Sequence, residues 1–248
     1  MLHEILSYHN TFTALQASSD ISSVYKNPHP AERQKNLRQA LDRYQRTLQT
    51  CTRDILPFQW ACTHANLGHV YGEIGTLGSK PSDMLVQALD HYQQALQVLT
   101  EENSPVQWAI IQQGLVLIAI TRQDGLKADR LQQAITLGQS SLRVLTRTTH
   151  PLEWARVHAC LGEAYRQASA CEELQELYSG CSVMQEQALR HIEAALQVYT
   201  MHDYHFEWAK VKRFEGMVYR ERIRGKRSEN IAQARCCFKA ASSVAATQ

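Results

Sequence analysis

The sequence predicts an all-α protein, an α-solenoid of about five antiparallel helix hairpins stacked one against the next. Three observations carry this prediction. A phrase containing tryptophan recurs along the 248 residues, a second phrase ending in threonine recurs between its copies, and the composition favours helix. Only six prolines and eleven glycines interrupt a chain in which 44% of the residues are hydrophobic. Such a chain is expected to fold, and to fold into helices rather than strands.

The tryptophan phrase predicts the first helix of each hairpin. Its copies have tryptophan at positions 60, 108, 154 and 208, and the clearest read FQWACTHANLGHVY, LEWARVHACLGEAY and FEWAKVKRFEGMVY. Trp60, Leu67 and Tyr71 share one face of a helix. A proline stands three residues before three of the tryptophans, which suits the first turn of a helix. First helices are therefore predicted at about 57–76, 105–123, 151–170 and 205–224.

The second phrase predicts the partner helix of each hairpin. It reads ALDHYQQALQVLT at 88–100, where Ala88, Tyr92, Ala95 and Leu99 fall on one helical face. Its final threonine precedes the next tryptophan by eight residues in all four full copies, whereas the interval from tryptophan to the next copy varies from 26 to 34. One junction is thus predicted to be a rigid turn and the other a tolerant loop. Second helices are predicted at about 31–52, 81–101, 127–148, 182–201 and 228–246, with an N-terminal helix at about 2–24 and a loop insertion at about 171–182.

Glycines at equivalent positions of three first helices predict close helix packing. Gly68, Gly162 and Gly216 each follow a tryptophan by eight residues. A glycine inside a helix costs about 1 kcal/mol relative to alanine, which is tolerated where another helix must approach closely. The copy at 108–146 departs from this pattern, because no glycine follows Leu115 and Gly138 replaces the aromatic residue. Packing there is expected to be closer or shifted in register.

These residues resemble the tetratricopeptide repeat family. Its consensus places Leu-Gly and Tyr on the first helix, then Ala, an aromatic residue and Ala on the second. The best-matching copy has Leu67-Gly68, Tyr71, Ala88, Tyr92 and Ala95. The units here are longer than the usual repeat and are similar to a long-unit subclass found beside CHAT caspase-like domains in bacteria.

The resemblance covers about residues 31–246 and implies a right-handed superhelix. The whole chain would form a single tetratricopeptide-like domain, residues 1–248. Its successive parts would be an N-terminal hairpin at 1–52 and repeats at 53–101, 102–148, 149–201 and 202–248.

The resemblance also implies a concave groove lined by the first helices. In such arrays the groove-facing positions lie two, five, nine and twelve residues after the place taken here by tryptophan. The partner-binding residues so implied are His69, Gln113, Leu117, Arg156, Glu163, Arg166, Lys210, Arg213, Met217 and Arg220. This groove would be apolar in its middle and cationic toward the C-terminus.

A basic cluster strengthens the C-terminal end of that groove. Residues 209–227 contain eight lysines and arginines against two glutamates. Its members beyond the groove positions are Lys212, Arg222, Arg224, Lys226 and Arg227. The cluster is interpreted as a docking surface for an acidic peptide or a phosphate backbone. The alternative is an ordinary solvated helix face.

The sequence shows no pattern of catalytic or cofactor-binding residues, so no enzyme activity, cofactor or metal is expected. Phosphate-binding loops, dinucleotide fingerprints and nucleophile elbows are absent from the sequence. The eleven histidines lack ligand spacing, and His64 and His69 lie off one helical face. Seven cysteines without a CxxC pattern are expected to be reduced, with one of Cys236 and Cys237 in the core and the other at the surface. The repeated tryptophan is expected to be a core wedge, the alternative being an aromatic ladder that grips ligands.

The expected function is a non-enzymatic adaptor or scaffold that binds a segment of a partner protein in the groove. An alternative is a regulatory or sensor subunit of a protease-linked or nucleic-acid-linked complex in defence or signalling. A third interpretation is self-association through the end helices. The first residues lack a signal-peptide pattern and the longest apolar run, GLVLIAI, is too short to span a bilayer. A cytoplasmic location without membrane contact is therefore expected.

Overall fold

The structure is a computed structural model that describes residues 30–77 and 81–246. Every regular element in these residues is an α-helix, so the predicted fold class is confirmed at that level. The N-terminal helix predicted at 2–24 lies outside the described residues. The helices are α1 Pro30–Thr50, α2 Pro57–Leu77, α3 Pro81–Leu96, α4 Pro105–Thr121, α5 Lys127–Ser141, α6 Pro151–Ser169, α7 Glu172–Leu177, α8 Cys181–Leu196, α9 His205–Glu221 and α10 Arg227–Ala246.

The helices pack neighbour to neighbour within two compact units, which meet in the chain at residues 114 and 115. In the first unit α2 packs against both α1 and α3. In the second unit α6 packs against α5 and α8, and α9 packs against α8 and α10. Helix α4 begins in the first unit and ends in the second. Among the residues that the structure describes, no helix combines the length and apolar content that a bilayer span requires.

The four turns that end in a tryptophan helix share one hydrogen-bonding pattern. In each turn the residue just before the helix donates its N–H to the threonine carbonyl and accepts the tryptophan N–H on its own carbonyl. The first of these bonds is Leu56 to Thr52 at 2.9 Å, Ser104 to Thr100 at 3.0 Å, His150 to Thr146 at 2.9 Å and Tyr204 to Thr200 at 3.0 Å. An inserted residue would break both bonds, which explains why the spacing of eight residues is constant.

The threonine side chain also closes three of these turns. Its hydroxyl accepts the N–H of the residue three positions later, at 3.2 Å from Asn103, 3.2 Å from Thr149 and 3.0 Å from Asp203. Short polar side chains commonly close turns by bonding to nearby backbone in this way. The first turn has Ile55 at that position. The helices that follow begin at Pro57, Pro105 and Pro151, as the sequence predicts, and at His205.

Each of the three equivalent glycines lies against a large side chain of its own partner helix. A Cβ at Gly68 would come within 2.7 Å of the Tyr92 ring. At Gly162 it would come within 2.8 Å of Ile192, and at Gly216 within 2.8 Å of Phe238. These distances leave no room for a methyl group without displacement of the partner. The predicted close approach at these glycines is therefore confirmed.

In the copy that departs from the consensus, the glycine lies on the second helix and the large side chain on a first helix. Gly138 lies on the second helix of its pair, α5, and a Cβ there would be 2.6 Å from the Leu161 side chain on α6. The large side chain thus comes from the following first helix instead of from the second helix of the same copy. Gly114 on α4 meets the hydroxyl of Tyr92, where an added Cβ would overlap the oxygen. Closer or register-shifted packing between the two helices of this copy stays a prediction.

The sequence predicts a loop at 171–182, and this prediction is wrong in part, because the segment contains the short helix α7. The chain leaves α7 through Ser179 and Gly180, whose φ angles are +62° and +98°. The Tyr178 hydroxyl donates a hydrogen bond of 2.8 Å to Gln132 on α5. Leu174 packs inward and is 4% exposed. These contacts order the extra residues against the second unit.

Two glycines four residues apart on α2 provide a matched test of the close packing. We expect Gly68→Ala to lower the free energy of unfolding by about 1–3 kcal/mol, because the new methyl group would collide with Tyr92, itself confined by Gly114. Gly72→Ala should raise it by about 0.5–1 kcal/mol, since nothing lies within 4 Å of the new Cβ. Urea denaturation monitored by circular dichroism measures both. Equal effects would contradict the assigned packing.

Candidate functional site

The structure buries two of the predicted groove residues in the first unit. His69 on α2 is 6% exposed and Gln113 on α4 is 0% exposed. A side chain without exposed surface has nothing to offer a partner, so Gln113 acts in packing within this chain.

The predicted groove residues of the second unit fall into a buried and an exposed group. Leu117 and Glu163 are each 7% exposed. Arg156, Arg166 and Met217 are partly buried, whereas Lys210, Arg213 and Arg220 are exposed. The exposed group lies entirely on α9. Surface available to a partner is therefore concentrated on that helix.

Arg166 is the centre of a charged network and is not a free cation. Its guanidinium donates to both oxygens of Glu163, at 2.8 and 2.7 Å, and to Glu221 on α9 at 3.2 Å. The Glu163 bonds, followed by the charges of both carboxylates, raise the pKa of Arg166. Gln167 donates to Glu163 at 2.9 Å and to the Ile120 carbonyl at 3.3 Å. The network ties α6 to α9 and balances the charge between them.

The first unit contains a comparable charged pair. Arg33 on α1 lies 2.9 Å from Glu73 on α2, and their side chains are only 13% and 9% exposed. Removing one partner of such a pair would leave the other charge without compensation in a largely buried place. The pair therefore specifies how α1 and α2 pack.

Arg156 also faces the protein rather than an open groove. It donates a hydrogen bond to the hydroxyl of Tyr199, which is 4% exposed. Burial raises the pKa of this tyrosine, and the arginine partly opposes that effect. Of the predicted groove cations, only those on α9 remain available to another molecule.

Most of the basic cluster at 209–227 is engaged within the chain. Arg222 forms two bonds with Glu186 at 2.8 and 3.1 Å, Lys212 contacts Glu215 at 2.8 Å, Lys226 contacts Glu229 at 3.2 Å and Arg220 contacts Glu221 at 3.5 Å. Arg227 donates to the Arg220 carbonyl at 2.6 Å. Glu186 and Glu229 lie outside residues 209–227. They therefore balance part of the positive charge of the cluster, although a count over that segment does not include them. In the described part of the chain, Lys210, Arg213 and Arg224 have no such partner.

Four side chains define the surface that we call the α9 stripe, namely Lys210, Arg213, Met217 and Arg220. Their spacing of three, four and three residues places them on one face of α9. Two of them are exposed cations without an ion pair, and Met217 adds a flexible apolar contact. The stripe is the part of the predicted groove that can contact another molecule.

The structure reveals two aromatic clusters that the sequence reasoning missed. We call them ladder 1 and ladder 2. In ladder 1, Trp60 contacts His64 at 4.4 Å between ring centroids, His64 contacts His91 at 5.0 Å, and His91 stacks on Tyr71 at 5.3 Å. The Nδ1 atoms of His64 and His91 are 2.9 Å apart. One ring must therefore donate its Nδ1–H to the other.

Ladder 2 repeats this arrangement in the second unit. Trp154 contacts His158 at 4.3 Å, His158 contacts His191 at 4.9 Å, and His191 stacks on Tyr165 at 5.4 Å. The two Nδ1 atoms are again 2.9 Å apart. Each ladder joins a first helix to its second helix, α2 to α3 or α6 to α8.

The surroundings of the ladders are repeated as well. A glutamine of the preceding helix donates to the tyrosine hydroxyl, at 3.2 Å from Gln45 and 3.1 Å from Gln139. An arginine of the preceding turn donates to a glutamine after the second helix, at 2.6 Å from Arg53 to Gln97 and 2.8 Å from Arg147 to Gln197. The chain is therefore built with a period of two hairpins.

This longer period is visible in the sequence once the contacts are known. Histidine follows tryptophan by four residues in the first and third copies, and His91 and His191 each precede the large residue of the second phrase. The other two copies have Gln112 and Lys212 at the former position. The two histidines of each pair lie on different helices, 27 or 33 residues apart in the chain, so spacing within one helix does not reveal the pairing.

The histidines of both ladders are neutral at neutral pH. Burial, followed by the charge of the paired ring, lowers the pKa of His64 to about 4, and burial lowers that of His158 to about 4. The pKa of His191 is likewise about 4 and that of His91 is also lowered. No group of three metal-ligating side chains occurs in the described ranges. The four tryptophans are only partly buried, so they stand at the edge of the core and not wholly inside it.

The cysteines agree with the sequence analysis. All seven are free thiols, and Cys237 is buried while its neighbour Cys236 is exposed, as predicted. Burial raises the pKa of Cys237 to about 12, which keeps it a protonated packing residue. The outward side of α10 carries polar side chains, among them Lys239, Ser242 and Ser243.

Comparisons of this chain with protein-family models, with curated proteins and with solved structures found no match. The resemblance to the tetratricopeptide family therefore stays a prediction. What the chain does has to be argued from the surfaces described above.

A substitution at Arg166 tests whether the charged network supports the fold. We expect Arg166→Ala to lower the free energy of unfolding by about 2–4 kcal/mol, because Glu163 would keep its charge in a site only 9% exposed. The control is Arg46→Ala, which removes an exposed pair with Asp42 and should change stability by at most about 0.5 kcal/mol. Chemical denaturation at pH 7 compares the two. A loss at Arg166 no larger than the loss at Arg46 would contradict a structural role.

Proposed function

We propose that this chain is a non-enzymatic adaptor of the tetratricopeptide type that binds an acidic segment of a partner protein along the α9 stripe. The observation that carries the proposal is the pair of exposed cations, Lys210 and Arg213, which lack an ion pair in the described part of the chain. The neighbouring cations of the basic cluster are largely compensated. Within the basic cluster at 209–227, the uncompensated positive charge is therefore local.

The chemistry of the stripe suggests the kind of segment it fits. Lys210 and Arg213 lie one helical turn apart, and Met217 follows after another turn. A segment with two acidic residues and one apolar residue on the same side would match this order. On the inner side of α9, Glu221 holds Arg166, so the second unit presents balanced charge beside the stripe. Such a surface attracts acidic residues specifically at the stripe and not along the whole groove.

Binding to the stripe alone is expected to be weak and sensitive to salt. Exposed ion pairs contribute about 0.2–1 kcal/mol each, and surface charges are screened over about 8 Å at physiological ionic strength. Tight capture of a partner would need further contacts elsewhere on the array. Affinity for an isolated peptide should therefore be modest, and charge reversal should act mainly on its electrostatic part.

Fluorescence anisotropy with two matched peptides tests this proposal. One peptide carries two Glu and one Leu on the same side, matching Lys210, Arg213 and Met217 in turn. The other peptide replaces each Glu by Gln. We expect the acidic peptide to bind at low salt and Lys210→Glu combined with Arg213→Glu to weaken it about tenfold or more. The control variant, Lys239→Glu, reverses an exposed lysine on α10 and should leave binding unchanged.

Two results would overturn the assignment. One is equal binding of the acidic and the neutral peptide. The other is equal weakening by the α9 double variant and by Lys239→Glu, which would indicate only the net charge of the protein. Melting temperatures of all variants show whether any loss of binding reflects unfolding.

A second proposal keeps the chain as a regulatory or sensor subunit of a protease-linked or nucleic-acid-linked complex. It is supported by the similarity to arrays beside CHAT domains and by the exposed cation Arg224, in addition to Lys210 and Arg213. Three free cations would give a slope of at most about −3 in log affinity against log salt for duplex DNA. Titration of a generic oligonucleotide measures it. Absence of binding at about 50 mM salt would rule out direct contact with nucleic acid.

A further inference from the structure

The two ladders are the most specific polar arrangement in the described residues that the proposed function does not use. Each brings a pair of histidine rings into direct hydrogen bonding between two helices, with the Nδ1 atoms at 2.9 Å in both cases. The pairing would serve no purpose for a partner bound at the α9 stripe, which lies on a different helix. An inference from the ladders is therefore independent of the proposed function.

We propose that the ladders are acid-sensitive contacts that join the first and second helices of two hairpins, and that Asp90 and Arg190 make ladder 1 respond at higher pH than ladder 2. The device rests on the geometry of the paired rings and on one pair of equivalent positions that carry opposite charge. It would loosen helix packing reversibly as the solution becomes acidic.

Counting protons on the rings shows why the contact depends on pH. In the neutral pair one ring donates its Nδ1–H and the other accepts on Nδ1. A first added proton can go to the free Nε2 of the donor ring, and the hydrogen bond survives. A second proton has to occupy the accepting Nδ1, which places two N–H groups face to face at 2.9 Å. The doubly protonated pair must therefore separate.

The direction of the pH effect follows from the histidine pKa values. In the folded chain burial lowers the pKa of His64, His158 and His191 to about 4, below the value of about 6.5 in an unfolded chain. Between these values the unfolded state binds protons that the folded state does not bind. Stability is therefore fully present above about pH 6.5 and is lost as the pH falls toward 4.

One pair of equivalent positions beside the two ladders carries opposite charge. Asp90, next to His91 on α3, favours the protonated form of both histidines in ladder 1. Arg190, next to His191 on α8, opposes protonation in ladder 2. Both ladders contain a tryptophan, a tyrosine and a glutamine bonded to that tyrosine. The Arg53 guanidinium lies 5.7 Å from the centre of the Trp60 ring in ladder 1, and Tyr178 of α7 lies beside Tyr165 in ladder 2.

Opening a ladder would act on the tightest packing in its hairpin. His91 precedes Tyr92, whose ring lies against Gly68, and His191 precedes Ile192, which lies against Gly162. Separation of the histidine rings would pull on the same segment of the second helix that holds these contacts. We expect the packing between α2 and α3, and between α6 and α8, to weaken as a consequence.

Tryptophan fluorescence can follow each ladder separately, because a protonated imidazole quenches a tryptophan in contact with it. Variants that keep only Trp60 or only Trp154, with phenylalanine elsewhere, would be titrated from pH 7.5 to 3.5. We expect quenching in both, with the Trp60 midpoint at the higher pH. Variants that keep only Trp108 or Trp208 are controls, since Gln112 and Lys212 replace the histidine there.

Exchanging the two charges tests the assignment directly. Asp90→Arg should lower the Trp60 midpoint, and Arg190→Asp should raise the Trp154 midpoint, so that together they reverse the order of the ladders. Both side chains are exposed, so neither substitution should prevent folding. Midpoints that do not move, or that move in the opposite direction, would overturn the role of these charges.

A second measurement keeps the proposal testable if a single-tryptophan variant fails to fold. The variant His64→Gln, His91→Gln, His158→Gln and His191→Gln removes every titrating ring of the ladders. We expect its unfolding midpoint in urea to change less between pH 7 and pH 4.5 than that of the natural chain. His150→Gln, at a histidine outside the ladders that contacts the Thr149 hydroxyl, should keep the natural pH profile. An unchanged pH profile in the fourfold variant would overturn the proposal.

Discussion

The packing of the described chain depends on a large side chain of one helix lying directly against a glycine of its neighbour. Tyr92 shows the constraint most fully, since its ring lies on Gly68 and its hydroxyl meets Gly114. The tyrosine is 2% exposed, so three helices are held at distances that no other side chain in place of either glycine would permit.

Helices held this closely leave little room for uncompensated charge, and the distribution of ion pairs reflects it. Arg33, Arg166 and Arg222 each bind a carboxylate on another helix, so most buried or half-buried cations serve packing. Within the basic cluster, the cations without such partners are at exposed positions of α9 and of the turn that follows it, namely Lys210, Arg213 and Arg224. Glu186 and Glu229 therefore offset only part of the positive excess that the linear sequence suggests at 209–227.

The ladders show that the ring contacts of this chain repeat in every second hairpin. Each repeats the same ring contacts and the same flanking glutamine and arginine bonds, while the intervening copies lack the histidines. A neutral histidine pair stabilises a helix contact only while at least one ring stays unprotonated, so the arrangement couples packing to pH. A buried apolar contact at the same place would hold the helices without any such dependence.

The sequence by itself determined the helices and their junctions, because helix periodicity, proline positions and the threonine-to-tryptophan spacing are local properties. It also located Gly68, Gly162 and Gly216 as points of close approach. Only the tertiary structure decided which charges remain free, since Glu186 neutralises Arg222 across 36 positions of the chain. The same holds for His64 with His91, which meet only after two helices pack, and for Gln113, whose predicted groove position is fully buried. Pairing between distant residues depends on helix packing, which no short stretch of sequence encodes.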